Sequence, residues 1–251
     1  MGLFGIFDVL TVARNRERMR VACLLSMIGG FLDIYTYIYR GNVFANAVTG
    51  NMVLFGFKIA EAQWAAAGKY ALSILFYALG VFASEYIHYL RPAPGRIRWY
   101  QLVLALEAVC LSGAYFIPRG GWDYVVNALI AFVCALQVQT FRKVRGLPFA
   151  STMCTGNLKS GMGALFEACV GRDRLGVQKA LTYYMIIGFF IFGAAMGAVL
   201  LRDFGTRVFF LAPVGLLIVL AMSLSLFQTG RLRLKFWPFG HRGTRPAARG
   251  K

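Results

Sequence analysis

Six stretches of about twenty residues, almost free of charge, run through this chain of 251 residues. They cover roughly 20–39, 68–90, 99–117, 121–141, 178–201 and 207–228. A helix of that length rises about 30 Å, the thickness of a bilayer's hydrocarbon core. Apolar runs so long and so repeated leave few folds open. In lipid every backbone amide must find its partner within the chain, so such runs are helices. The fold expected is therefore an all-α integral membrane protein. Composition agrees: 59% of residues are hydrophobic and 15% charged, against about a quarter charged in a soluble domain. These figures weigh against a soluble enzyme.

The charge is lopsided, with 27 Lys and Arg against 10 Asp and Glu, a net +17. The basic residues lie between and beyond the apolar runs, as the positive-inside rule requires, and no nucleic-acid-binding motif accompanies them. No nucleic-acid partner is expected. Residues 1–19 read as a cytoplasmic basic lead-in. Their apolar stretch precedes Arg14, Arg16, Arg18 and Arg20, the reverse of a signal peptide. Residues 230–251 form a basic tail carrying Arg231, Arg233, Lys235, Arg242, Arg245, Arg249 and Lys251. It reads as an ordinary cytoplasmic tail or as one held to anionic lipid, at ~1 kcal/mol per basic residue.

Little points to enzymatic chemistry. Cys23, Cys110, Cys134, Cys154 and Cys169 lie in or beside apolar runs and read as buried free thiols. There is no zinc-type spacing and no nucleophile or phosphate-loop signature. The expectation is no cofactor, no metal and no enzyme.

Two further segments are only moderately apolar: 42–60 (NVFANAVTGNMVLFGFKIA) and 147–168 (LPFASTMCTGNLKSGMGALFEA). They resemble each other. Arg40-Gly41 and Phe44-Ala45 recur 105 residues later as Arg145-Gly146 and Phe149-Ala150. Thr49-Gly50-Asn51 recurs 106 residues later as Thr155-Gly156-Asn157. Each segment follows one strong span and precedes two more. The chain thus divides into membrane repeats at 20–118 and 119–229. If both TGN segments dip in and return, nine loop charges fall inside and six outside; if both cross, six fall inside and nine outside. The positive-inside rule favours the first arrangement. It has six transmembrane helices plus two broken or re-entrant TGN segments, inverted halves, and both termini cytoplasmic. Eight transmembrane helices in parallel halves is the alternative.

The stretch Gly29-Gly30-Phe31-Leu32-Asp33-Ile34-Tyr35, followed by Val43 to Asn51, resembles the YoaK-like family of bacterial multi-pass membrane proteins, a domain of unknown function. Leu136-Gln137, Thr140-Phe141-Arg142 and Thr152 to Leu158 resemble its second half. Val138 stands where a polar residue is usual in the family. The resemblance implies a bacterial inner-membrane protein of uncharacterised activity and supplies no substrate.

The residues suggest where a polar site would lie. Asn46, Thr49, Gly50, Asn51, Thr155, Gly156 and Asn157 occupy the TGN segments. Their Gly would permit a bend or close contact, and their Thr and Asn would cap half-helices whose dipoles favour an anion or carbonyl. The simpler reading is helix packing by small residues. Asp33 lies deep in the first span, where an acid is costly unless paired or hydrated. It would bind substrate, proton or cation, or pair with Lys159. Glu107 reads as a neutral acid hydrogen-bonded in the bundle or as a proton relay to Asp33. Gln137, Gln139 and Asn127 read as interhelical hydrogen bonders, Gln137 also as a site residue. Glu85 and His88 read as interfacial. Gly193, Ala194, Ala195 and Gly197 form a small-residue face, for packing within the chain or in a homodimer. The leading function is a transporter or channel for a small molecule or ion. A non-transporting scaffold and a lipid-modifying membrane enzyme are the alternatives.

Overall fold

A computed structural model describes residues 19–90, 98–171 and 174–235. The lead-in up to residue 18, the loop charges Arg91, Arg96 and Arg172, and the tail beyond 235 lie outside the described residues. The chain is helical almost throughout. Its elements are α1 (Met19–Tyr39), α2 (Val48–Ala60), α3 (Trp64–Leu90), α4 (Trp99–Tyr115), α5 (Asp123–Thr140), strands β1 (Lys143–Val144) and β2 (Leu147–Pro148), α6 (Cys154–Gly171), α7 (Arg174–Phe204), a 3₁₀ turn (Gly205–Phe210) and α8 (Leu211–Lys235).

The expected spans are corrected in detail. Among the described residues four stretches are long and apolar enough to cross a membrane: Met19–Tyr39, Trp64–Leu90, Asp123–Thr140 and Arg174–Leu224. The last contains two of the expected spans, α7 and the start of α8, joined through the 3₁₀ turn with Gly205 at φ +67°. The expected span at 99–117 is the 17-residue α4, shortened at Tyr115 and carrying Gln101 and Glu107 on its buried face. The hairpin was not foreseen. Arg145 and Gly146 both take positive φ, +52° and +79°, the geometry of a two-residue type I′ turn.

Two long helices form the centre and two flank them. α1 and α5 are mostly buried, whereas α3, α7 and α8 bury a minor share of their apolar windows. α7 lies along α1, and α3 lies along α5. α4 packs on α8 and α5, and α2 and α6 pack on α3 and α7 respectively. The long contacts are close because glycine lies in them. A Cβ on Gly30 would come within 2.0 Å of the Phe190 carbonyl oxygen, and one on Gly193 within 2.0 Å of that of Met27. On the other pair, a Cβ on Gly80 would lie 2.5 Å from the Phe132 carbonyl oxygen. Gly193 and Gly197 of the small-residue face of α7 thus pack within the chain, while Ala195 is exposed. Bare faces remain outside: Leu75, Leu79, Phe82 and Tyr86 on α3, and Phe192, Met196 and Val199 on α7, are exposed. Water would not tolerate apolar faces of that extent, and lipid would.

Arg40 fixes one end of the bundle. Its guanidinium is buried and donates to the Tyr35 hydroxyl (3.0 Å), the Pro118 carbonyl (3.1 Å), Asp123 Oδ1 (3.0 Å) and the Ile117 carbonyl (3.0 Å). Its own carbonyl accepts from Asn127 Nδ2 at 2.8 Å. The end of α1, the α4–α5 turn and the start of α5 are thereby tied together.

Candidate functional site

The two TGN segments reach the same place. In the first, the chain turns at Arg40 and Gly41 and comes back beside α1. The Asn46 amide donates to Asp33 Oδ1 at 3.1 Å, and Asn46 Nδ2 donates to the Gly29 carbonyl at 3.1 Å. Gly29 lies about 16 Å along α1 from Arg40 at the helical rise. The Ala45 amide donates to Thr36 Oγ1 at 3.4 Å, and that hydroxyl donates to the Asp33 carbonyl at 3.0 Å. From this depth α2 starts, 13 residues long.

In the second segment the chain turns through the hairpin after α5. Gln137 Nε2 donates to Ser151 Oγ at 2.6 Å and to the Leu25 carbonyl at 3.3 Å. A Cβ on Gly29 would touch Thr152 Cγ2 at 3.0 Å and the Ser151 carbonyl oxygen at 3.3 Å. Gly29 is therefore the point against which both segments pack. Asn157 closes its own turn, donating to the Ala150 carbonyl at 2.7 Å and accepting from the Ala150 amide at 3.1 Å. From here α6 starts.

Between the two helix starts lies a cavity of about 630 Å³. Asp33, Asn46, Thr49, Thr152, Thr155 and Asn157 line it, with Gly156, Cys154 and the ring of Phe190. The first-turn amides of a helix have no acceptor in the helix, and the N-terminus carries about half a positive charge. Two such ends open here. Asn46 and Thr152 are at least nine-tenths buried, and Asn46 Oδ1 and Thr152 Oγ1 have no hydrogen-bond partner among the described residues. Among the described residues Asp33 is the one charged side chain in the lining.

Several sequence expectations are corrected by this geometry. Lys159 is exposed and forms no ion pair with Asp33, because it projects from α6 away from the buried face that holds Asn157. Gly50, Asn51, Gln137 and Lys159 do not line the cavity. Gly50 and Gly156 neither bend the chain nor make close contacts: both are helical, with open space where a Cβ would go. Thr49 and Thr155 make no capping bond, and α2 has no side-chain cap. Glu107 is fully buried, yet neither carboxyl oxygen is hydrogen-bonded among the described residues. No hydrogen-bonded chain joins it to Asp33, since the buried side of α4 is otherwise largely apolar. Of the cysteines, Cys23 and Cys134 are buried, Cys110 and Cys154 half-buried, and Cys169 is exposed. Glu85 does more than face the interface: it accepts from Gln139 and from Arg142, joining α3 to the end of α5.

Thr36, Ser151, Thr152 and Phe190 were not among the predicted site residues. Thr36 carried a signal, being one helical turn after Asp33; Phe190 carried none, because its position depends on how α7 crosses α1. Among the described residues no three His, Cys, Asp or Glu side chains cluster as metal ligands would.

Apolar helices with lipid-facing sides define a helical membrane protein, and the half-open cavity with its few polar groups lies among them. The chain belongs to the DUF1275 family, described as a protein of unknown function, whose family model matches residues 21–222. No match was found among curated proteins or among solved structures.

Proposed function

We propose that the chain is a transporter or channel for a small solute in the bacterial inner membrane, built from two inverted halves with both termini cytoplasmic. The observation that carries this reading is the meeting of two helix N-termini at one half-open cavity beside the middle of α1. α2 reaches it from the end held by Arg40. α6 reaches it from the opposite end, where Gln137 and the hairpin lie. On this reading both TGN segments are re-entrant. Paired broken helices approaching a central site from opposite sides are a recurring plan in transporters.

The packing supports a duplication. α1 with α7 and α3 with α5 are matching pairs if α1 corresponds to α5 and α3 to α7. The carbonyls touched by Gly193 and Gly80 belong to Met27 and Phe132, which are 105 residues apart. That is the spacing of Arg40 and Arg145.

The test has two parts. A cysteine at Ala65, just after α2, is introduced in a cysteine-free chain and challenged with a membrane-impermeant thiol reagent. With the N-terminus independently located inside, labelling from outside is expected; labelling only after the membrane is opened would replace re-entry by eight spans. Proteoliposomes are then tested for swelling driven by sugars, polyols, amino acids and organic acids. Faster entry of one class than into empty liposomes is expected, and its loss in Asp33→Asn. Entry of none would leave the scaffold reading standing.

A further inference from the structure

The lining of the cavity is specific about charge. It holds one carboxylate, two helix ends of about half a positive charge each, and no Lys, Arg or His side chain. The sum is near zero, with the carboxylate on α1 and the partial charges at the starts of α2 and α6. Asp33 and Asn46 form an acceptor cluster on the α1 side: one carboxylate oxygen takes the Asn46 amide, and Asn46 Oδ1 is buried without a donor. The first turn of α6, with the amides of Cys154, Thr155 and Gly156, offers donors on the other side. A bare anion there would meet Asp33 with no full counter-charge. A bare cation would leave the α6 amides unmatched. A solute carrying both charges satisfies both ends.

We propose that the cavity binds a small zwitterion, an α-amino acid with an uncharged apolar side chain, its ammonium on Asp33 and Asn46 and its carboxylate at the start of α6. This rests on reading the cavity as the protein's solute site. The acceptors call for a group with N–H donors, so a primary ammonium fits and a quaternary one does not. No second charged group lines the cavity to receive a charged side chain, while Phe149, Phe190 and Val48 offer apolar surface. A volume of about 630 Å³ is within the range of small-molecule sites.

Binding can be measured without flux, so this inference and the transport reading fail separately. Purified full-length protein in detergent is heated with L-leucine or L-phenylalanine, and with isoamylamine, 4-methylpentanoate, phenethylamine, 3-phenylpropanoate and glycine betaine. At hundredfold excess over Kd, one of the two amino acids is expected to raise Tm by about 5 °C. The amines, the acids and the betaine are expected to give no shift. Asp33→Asn and Asn46→Ala are expected to remove the shift. No shift with either amino acid, or an equal shift with a matching amine or acid, overturns the proposal. These comparisons use the unaltered chain and so hold even if a variant fails to fold.

Discussion

Arg40-Gly41 and Arg145-Gly146 open two segments that share Phe-Ala and Thr-Gly-Asn further on, yet the two arginines do different work. Arg40 is buried and makes four hydrogen bonds that tie three elements together. Arg145 is exposed at the tip of a two-residue hairpin. The TGN turns differ in the same way. In the second, Asn157 holds the Ala150 amide and carbonyl. In the first, Asp33 and Thr36 hold the corresponding loop from α1, and Asn51 is buried with Nδ2 unpartnered. Two segments with a shared Thr-Gly-Asn motif thus reach similar turns by different anchors. The difference matters for the site. The anchor in the first segment is ionisable and faces the cavity; its partner in the second is a neutral amide. The residue matched to Asp33 by the 105-residue spacing is Val138, so one half alone supplies a charge.

The sharpest way to break the comparison is at the helix crossings. Gly193→Leu places a side chain onto the Met27 carbonyl and is expected to cost about 3 kcal/mol or more, abolishing folded protein on size-exclusion chromatography. Gly80→Leu is expected to fail as well, since its matching contact is nearly as close. Survival of Gly193→Leu at wild-type yield would refute the α1–α7 packing.

Next come the arginines. Arg40→Ala leaves Asp123 and three carbonyl or hydroxyl oxygens without their donor, for a loss of ~3 kcal/mol. Arg145→Ala is expected to leave Tm unchanged. Equal losses would mean that the two turns are held alike.

The asparagines give a smaller contrast. Asn157→Ala removes two hydrogen bonds and is expected to cost ~2 kcal/mol, and Asn51→Ala ~1 kcal/mol or less, read from thermal unfolding in detergent. The reverse order would assign the anchoring role to the first TGN.

The smallest effect is expected at the motif glycines. Gly50→Ala and Gly156→Ala face open space in helical backbone and are expected to change stability by less than ~1 kcal/mol, in the stabilising direction. A collapse of either variant would restore the close-packing role that the sequence suggests for them.

Much of the fold was legible because lipid imposes a simple rule on sequence. Apolar runs of helical length with few charges mark α1, α3, α5 and α7, and Asp33 stood out as an acid where an acid is costly. The boundaries at α4 and between α7 and α8 were not legible, because hydropathy alone does not say where a helix stops. The packing role of Gly193 and Gly197 was legible as a small-residue face, whereas the contact role expected of the TGN glycines belongs to Gly29, Gly30 and Gly80. A glycine's role depends on what lies opposite, and that is fixed by another helix far along the chain.

What the sequence determined by itself was therefore a helical membrane protein with two polar segments and a buried acid, since each follows from local hydrophobicity and the cost of charge in lipid. What only the tertiary structure decided was which polar residues face one another. Asp33, Asn46 and Thr152 share a cavity, while Asn51, Gln137 and Lys159 do not line it. The reason is geometric: a side chain's surroundings depend on helix rotation and crossing, and these are set by contacts such as Gly30 on Phe190, which join residues some 160 positions apart.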